Sequence, residues 1–135
     1  MDSTTLDDSL LEKMRHDWDQ RARENARHFI ATANSDWDEQ EFYQSGRLCV
    51  YHEILTDLGN VCQGKDVKQM KVLEIGCGTG RMTRALAEVF GEVYGVDISG
   101  EMIARGRKDL ADLPSVALND FDAVGLVIAG KLPGN

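Results

Sequence analysis

The chain has 135 residues, 42% of them hydrophobic and 28% charged, which suits one small domain with a single core and argues against wholesale disorder. The 15 basic and 23 acidic residues leave a net charge of −8, a field that does not steer the protein toward nucleic acid or an anionic membrane surface. No basic start followed by an apolar run opens the chain, and no stretch approaches the roughly 18 consecutive apolar residues of a membrane helix, so neither signal peptide nor membrane span is expected. Cys49, Cys62 and Cys77 form no CxxC pair, and His16, His28 and His52 stand apart. This pattern predicts reduced thiols in a cytoplasmic protein and no metal site.

The chain divides near Gly64, with helices before it and alternating strands and helices after it. Leu6, Leu10, Met14, Trp18, Ala22, Ala26 and Ile30 recur every four residues, with Leu11 and Phe29 beside them, and predict one apolar stripe down a long helix. Charges such as Asp17, Asp19, Arg21, Arg23 and Glu24 fill the remainder and read as a solvated face. Asn34-Ser35-Asp36 breaks the helix, and Asp36 with Glu39 forms a capping box for a second one ending near Gly46. Leu48, Tyr51, Leu55 and Leu58 mark a third helix, stopped by Gly59. From Met70 the period changes. Residues 70–75 predict a strand, 81–90 a helix ended by Gly91, and 93–97 a second strand. Ser99 caps a further helix through Met102, Ile103 and Leu110 that ends before Pro114, and residues 116–118 form a third strand. Strand, helix, strand, helix, strand is the order of an α/β parallel sheet with right-handed crossovers.

Gly76-Cys77-Gly78-Thr79-Gly80 sits between the first strand and its helix. Such a loop must turn tightly and let a ligand approach the backbone, which residues without a Cβ permit, and the helix that follows aims free N–H groups at the ligand. Asp97 ends the next strand, where a carboxylate at the carboxyl edge of the sheet can accept hydrogen bonds from two ribose hydroxyls. Dinucleotide sites use GxGxxG, whose last glycine allows close helix–strand packing. Here the spacing is GxGxG and Arg81 occupies that last position. Glu74, two residues before the first glycine, is poorly matched to a pyrophosphate and well matched to a cationic sulfonium and ammonium group. Cys77 reads as a small filler, since no His or Lys stands near it in sequence.

These residues resemble the first and second motifs of class I S-adenosylmethionine-dependent methyltransferases, carried by residues 72–81 and 93–99, with residues 101–105 similar to the helix start that follows. The resemblance covers about residues 70 to 120. It implies a Rossmann-like, doubly wound parallel sheet, only partial here, preceded by N-terminal helices, and S-adenosyl-L-methionine as cofactor. It further implies that Glu74 and the Gly76–Gly80 loop, with Cys77, Gly78 and Thr79, hold the methionine end, that Asp97 holds the ribose, and that Ile98 packs on the adenine. Asn119-Asp120, just past the third strand, match the place where the family contacts the adenine amino group.

By this reading residues 1–64 are a helical cap or lid, and residues 65–135 a cofactor-binding region that is incomplete at its C-terminal end. Trp18, Trp37, Phe42 and Tyr43 are candidates to line an acceptor site, core packing being the preferred alternative. The expected activity is methyl transfer to a small-molecule acceptor that the sequence does not identify, and no catalytic residue is assigned. A nicotinamide or flavin oxidoreductase and a non-catalytic binding module are the alternatives. Residues 121–135 resemble the loop before the family's fourth strand, residues 121–128 as that strand being the second reading. The family's fifth to seventh strands have no counterpart. The expectation is a partial chain, or one that self-associates through an open sheet edge.

Overall fold

The computed structural model describes residues 8–32 and 34–120. The readings of Leu6 and of residues 121–135 lie outside them.

Three strands form where apolar and β-branched residues alternate: β1 (Lys71–Ile75), β2 (Glu92–Asp97) and β3 (Val116–Asp120). They pair in parallel in the order β1-β2-β3. The register sets Val72 beside Val93 and Val93 beside Val116, and Glu74 beside Gly95 and Gly95 beside Leu118. The valine row packs into a cluster with Val50, Ala85, Leu86 and Phe90. Hence α2 (Glu39–Glu53) and α4 (Thr83–Val89) cover that side of the sheet. Leu118 instead joins Phe42, Tyr43, Cys77, Ile103 and Leu110, which brings α5 (Gly100–Asp109) onto the same layer. Outermost, Ala22 and Ala26 of α1 (Asp8–Ile30) pack on Met102 of α5. The architecture is the expected α/β Rossmann-like parallel sheet preceded by helices.

The helical half departs from expectation in three places, each for a local reason. The long first helix is interrupted at Asn25 (φ −164, ψ 81). The Asn25 side-chain oxygen accepts the His28 N–H at 3.3 Å, as a cap does for a new helical start, while its amide donates to the Ser35 carbonyl at 2.8 Å. Ala22 and Ala26, on either side of the interruption, are both buried, whereas Leu10 and Met14 nearer the start of the helix are exposed.

The cap of α2 is Asp38, whose carboxylate accepts the Glu41 N–H at 2.7 Å. Asp36 does not cap it, because the Asp36 N–H is held by the Asn34 side chain at 2.9 Å. Nor does α2 stop near Gly46. A Cβ there would stand 2.0 Å from the Arg81 carbonyl oxygen, so this glycine serves close approach between helix and loop rather than termination. The third helix shrinks to a 3-10 turn at Leu55–Asp57 and α3 (Leu58–Cys62), with Gly59 inside it; the chain leaves through Gln63 in the left-handed region (φ 48).

In the second half, α4 starts at Thr83 rather than 81, and β3 runs through Asn119 and Asp120, which lie in the strand rather than past it. Ser99 caps α5 as expected, its hydroxyl accepting the Met102 N–H at 3.1 Å. Among the described residues β1 has one strand neighbour, and its Leu73 and Ile75 are exposed.

Candidate functional site

After Ile75 the chain turns through Gly76 (φ +77), Gly78 (φ +58) and Gly80 (φ +99), a left-handed region that side chains rarely adopt. At Gly80 space is also decisive, since a Cβ would come 2.4 Å from the side chain of Leu110, the residue that caps the C-terminal end of α5. The loop amides are already engaged. Gly76 and Cys77 both donate to the Val96 carbonyl, at 2.8 and 3.0 Å, and Gly80 donates to the Cys77 carbonyl at 3.0 Å. The Gly78 N–H donates to one oxygen of Asp97 at 2.9 Å, and the Ser99 N–H to the other, also at 2.9 Å. Two backbone donors from separate segments thus fix the Asp97 carboxylate at the end of β2, leaving each oxygen a further lone pair for a hydroxyl.

Above this loop lies a cavity of about 390 Å³ lined by Leu11, Met14, Trp18, Phe29, Ile30, Ile75, Gly76, Gly78, Val96, Asp97, Ile98 and Met102. That size accommodates one small organic ligand. Asp97 is the one ionisable side chain among these, so among the described residues no cationic side chain lines the wall.

Four of the expected site residues, Gly76, Gly78, Asp97 and Ile98, come together around this cavity. Cys77, Thr79 and Gly80 lie buried beneath it. The Cys77 thiol is pushed up strongly by burial and further by the Glu74 and Asp97 charges, a poor setting for a nucleophile. Glu74 is not in the wall. Its carboxylate receives the Thr83 hydroxyl of α4, behind the loop. Burial raises the Glu74 pKa and the Asp97 charge adds to it, against the Thr83 hydrogen bond and the Arg81 charge, which lower it. Asn119 and Asp120 also stand outside the cavity wall. Register sets Asp120 beside Asp97, and the Asn119 side-chain oxygen accepts from Arg107 at 3.3 Å.

Of the aromatic candidates only Trp18 lines the cavity. Phe42 and Tyr43 are core, and Trp37 packs against that core while its indole N–H donates to the Ala31 carbonyl at 2.7 Å. The wall residues missing from the sequence-based set are Leu11, Met14, Phe29 and Ile30 of α1 with Ile75, Val96 and Met102. The signal was there: the α1 residues belong to the apolar stripe or its flank, a pattern that shows a covered face without showing what covers it.

Residues 72–129 match the methyltransferase domain family. A 58-residue stretch is 36% identical to dTDP-3-amino-3,6-dideoxy-alpha-D-glucopyranose N,N-dimethyltransferase of Streptomyces fradiae, covering 43% of this chain and 23% of that protein. A 62-residue stretch is 40% identical to demethylmenaquinone methyltransferase of Staphylococcus aureus, covering 44% and 26%. The human mitochondrial ubiquinone biosynthesis O-methyltransferase is 32% identical over 82 residues, covering 56% and 22%. The chain spans about a quarter of the length of the curated relatives it matches. In fold it is similar to Haemonchus contortus phosphoethanolamine N-methyltransferase 1, solved with phosphoethanolamine and S-adenosylhomocysteine (TM-score 0.60, 19% identity, 84% of this chain and 22% of that one). It is similar too to the Synechocystis magnesium protoporphyrin IX methyltransferase with bound S-adenosylhomocysteine (TM-score 0.56, 16% identity, 81% and 50%).

Proposed function

We propose that this chain, which carries the cofactor-binding region of a class I S-adenosylmethionine-dependent methyltransferase, takes part in methyl transfer to a small-molecule acceptor. The observation that carries the reading is the Asp97 carboxylate, fixed by the Gly78 and Ser99 amides at the edge of a largely apolar cavity. Three features of that cavity fit S-adenosylmethionine. Asp97 offers acceptors suited to ribose hydroxyls. Ile98 and Met102 offer apolar surface suited to adenine. A Cβ at Gly76 would meet nothing within 4 Å, so the backbone is open to close approach there. A dinucleotide fits less well. The Gly76, Cys77 and Gly78 amides that would cradle a pyrophosphate are occupied, and among the described residues no cation lines the wall.

S-adenosylmethionine, when bound, supplies an electrophilic methyl group on a sulfonium centre. The chain's own part is to hold that cofactor and exclude water around it. In this proposal Asp97 takes the ribose, Ile98 the adenine face, and Gly76 and Gly78 the backbone approach, over the buried support of Cys77, Thr79 and Gly80. Glu74 acts from behind the loop as a field rather than a contact, attracting the cofactor's positive charge across a short distance. Asn119 and Asp120, at the end of the neighbouring strand, edge the adenine side. In this reading Leu11, Met14, Trp18, Phe29 and Ile30 of α1 form the roof, and the ends of β1 and β2 with the loops that follow them form the cofactor-binding floor. Among the described residues no ionisable side chain other than Asp97 lines the cavity, and Asp97 is committed to two amides. No general base is therefore assigned, and an acceptor atom that arrives deprotonated needs none.

A small-molecule acceptor is supported by the relatives, two of which are named for a nucleotide-linked amino sugar and for demethylmenaquinone. Among the described residues no helix is long and apolar enough to cross a membrane. The site is tested by titrating S-adenosylhomocysteine into the parent chain and into Asp97→Ala. The expected result is saturable binding by the parent and at least about a tenfold loss in the variant, since hydrogen bonds to a charged group are removed. Equal affinity of the two proteins would contradict the assignment.

A further inference from the structure

The cavity roof is tied to the cofactor edge by a carboxylate that the site itself does not need. Asp19, on α1, accepts the Ser99 hydroxyl and also the Glu101 N–H at 3.1 Å. Ser99 is fully buried, and its own N–H donates to Asp97 at 2.9 Å. A continuous path thus runs from α1 through Ser99 to the carboxylate at the end of β2, joining residues about eighty positions apart in sequence. Asp19 also lies where a carboxylate is favoured, at the positive end of α5. The same helix contributes Trp18 and Met14 to the cavity wall, one residue before and five before Asp19.

We infer that Asp19 is a positioning residue for the cofactor site. It seats the α1 roof over the cavity and holds Ser99 in the orientation that fixes Asp97. This inference rests on the proposed cofactor reading for its functional part, whereas the seating of α1 stands without any ligand. The nearby Arg23–Glu101 ion pair at 2.9 Å does not substitute for it. Both of its side chains are largely exposed, and such pairs contribute little.

The test compares the parent chain with Asp19→Ala, Asp19→Asn and Arg23→Ala, using two readouts. The first is acrylamide quenching of tryptophan fluorescence without ligand, with Trp18→Phe identifying the part due to Trp18. Asp19→Ala is expected to raise Trp18 quenching to that of an exposed indole, Asp19→Asn to give an intermediate value because its amide oxygen can still accept, and Arg23→Ala to match the parent. The second is S-adenosylhomocysteine affinity, expected to fall about tenfold in Asp19→Ala, with circular dichroism unchanged. The Asp19→Ala/Asp97→Ala double variant is expected to lose less than the product of the two single losses, because part of the Asp19 effect passes through Asp97. Parent-like quenching in both Asp19 variants, or losses that multiply in the double variant, would overturn the inference. A parent chain that shows the quenching difference yet fails to bind S-adenosylhomocysteine would overturn the cofactor reading and leave the seating role intact.

Discussion

Asp97 and Glu74 are two carboxyl groups at one glycine loop, and their surroundings hold them in opposite ways. Asp97 accepts two backbone N–H groups, one on each oxygen, which pin the carboxylate in place. Glu74 is half-buried and accepts the Thr83 hydroxyl, and its pKa is raised, chiefly by desolvation. A raised folded-state pKa means that the folded chain binds more protons than the unfolded one across the window from the ordinary value of 4.5 upward. Stability therefore falls as pH rises through that window. Glu74→Gln is predicted to flatten this pH dependence and to hold or raise the neutral-pH melting temperature, as read by thermal melts at several pH values. The same variant is predicted to lose more affinity for cationic S-adenosylmethionine than for neutral S-adenosylhomocysteine, which calorimetry reads directly; equal losses would contradict a field role. At this scale the sequence pointed to Asp97, Gly76, Gly78 and Ile98, which the structure brings together around one cavity. It was silent on Glu74's depth, because a period of two separates the faces of a strand without saying which face meets the ligand.

The elements show why the sheet was easier to read than the helices. Strand–loop–helix boundaries in the second half carry strong local signals, namely a glycine loop, a Ser99 cap and β-branched runs, and the structure follows them closely. In the first half, Gly46 resembles helix punctuation and serves packing instead. Gly46 lies mid-helix in α2 because the Arg81 carbonyl occupies the space beside it, while the Arg81 guanidinium reaches Ser45 at 3.3 Å and Cys49 at 3.4 Å. Arg81, read in sequence as an obstacle to dinucleotide packing, thus ties the loop to α2. Gly46→Ala is predicted to destabilise the chain by about 1–3 kcal/mol, despite alanine's better helix propensity, because the added methyl forces the two segments apart. Urea unfolding measures this, and a stabilised variant would show that the contact relaxes freely. Asn25→Ala is predicted to destabilise by about 1 kcal/mol through loss of its cap within α1, with the same measurement as the check.

At the scale of the whole molecule, α2 and α4 cover the side of the sheet shared by Val72, Val93 and Val116. Leu73 and Ile75, on the alternate positions of β1, are 45% and 75% exposed. A parallel sheet carries apolar residues on both faces, so this chain is predicted to bind an exposed-hydrophobe dye, and Leu73→Lys to reduce that signal without loss of secondary structure. That alternation was visible in the sequence, but the partner of a face is a tertiary fact that no local pattern contains.

The central claim is that the loop from Gly76 to Gly80, with Asp97 across from it, receives S-adenosylmethionine rather than a dinucleotide. Parallel calorimetric titrations of the 135-residue chain with S-adenosylhomocysteine and with NADH test it most directly. Saturable binding of S-adenosylhomocysteine with no heat from NADH is the predicted result; binding of NADH alone would contradict it.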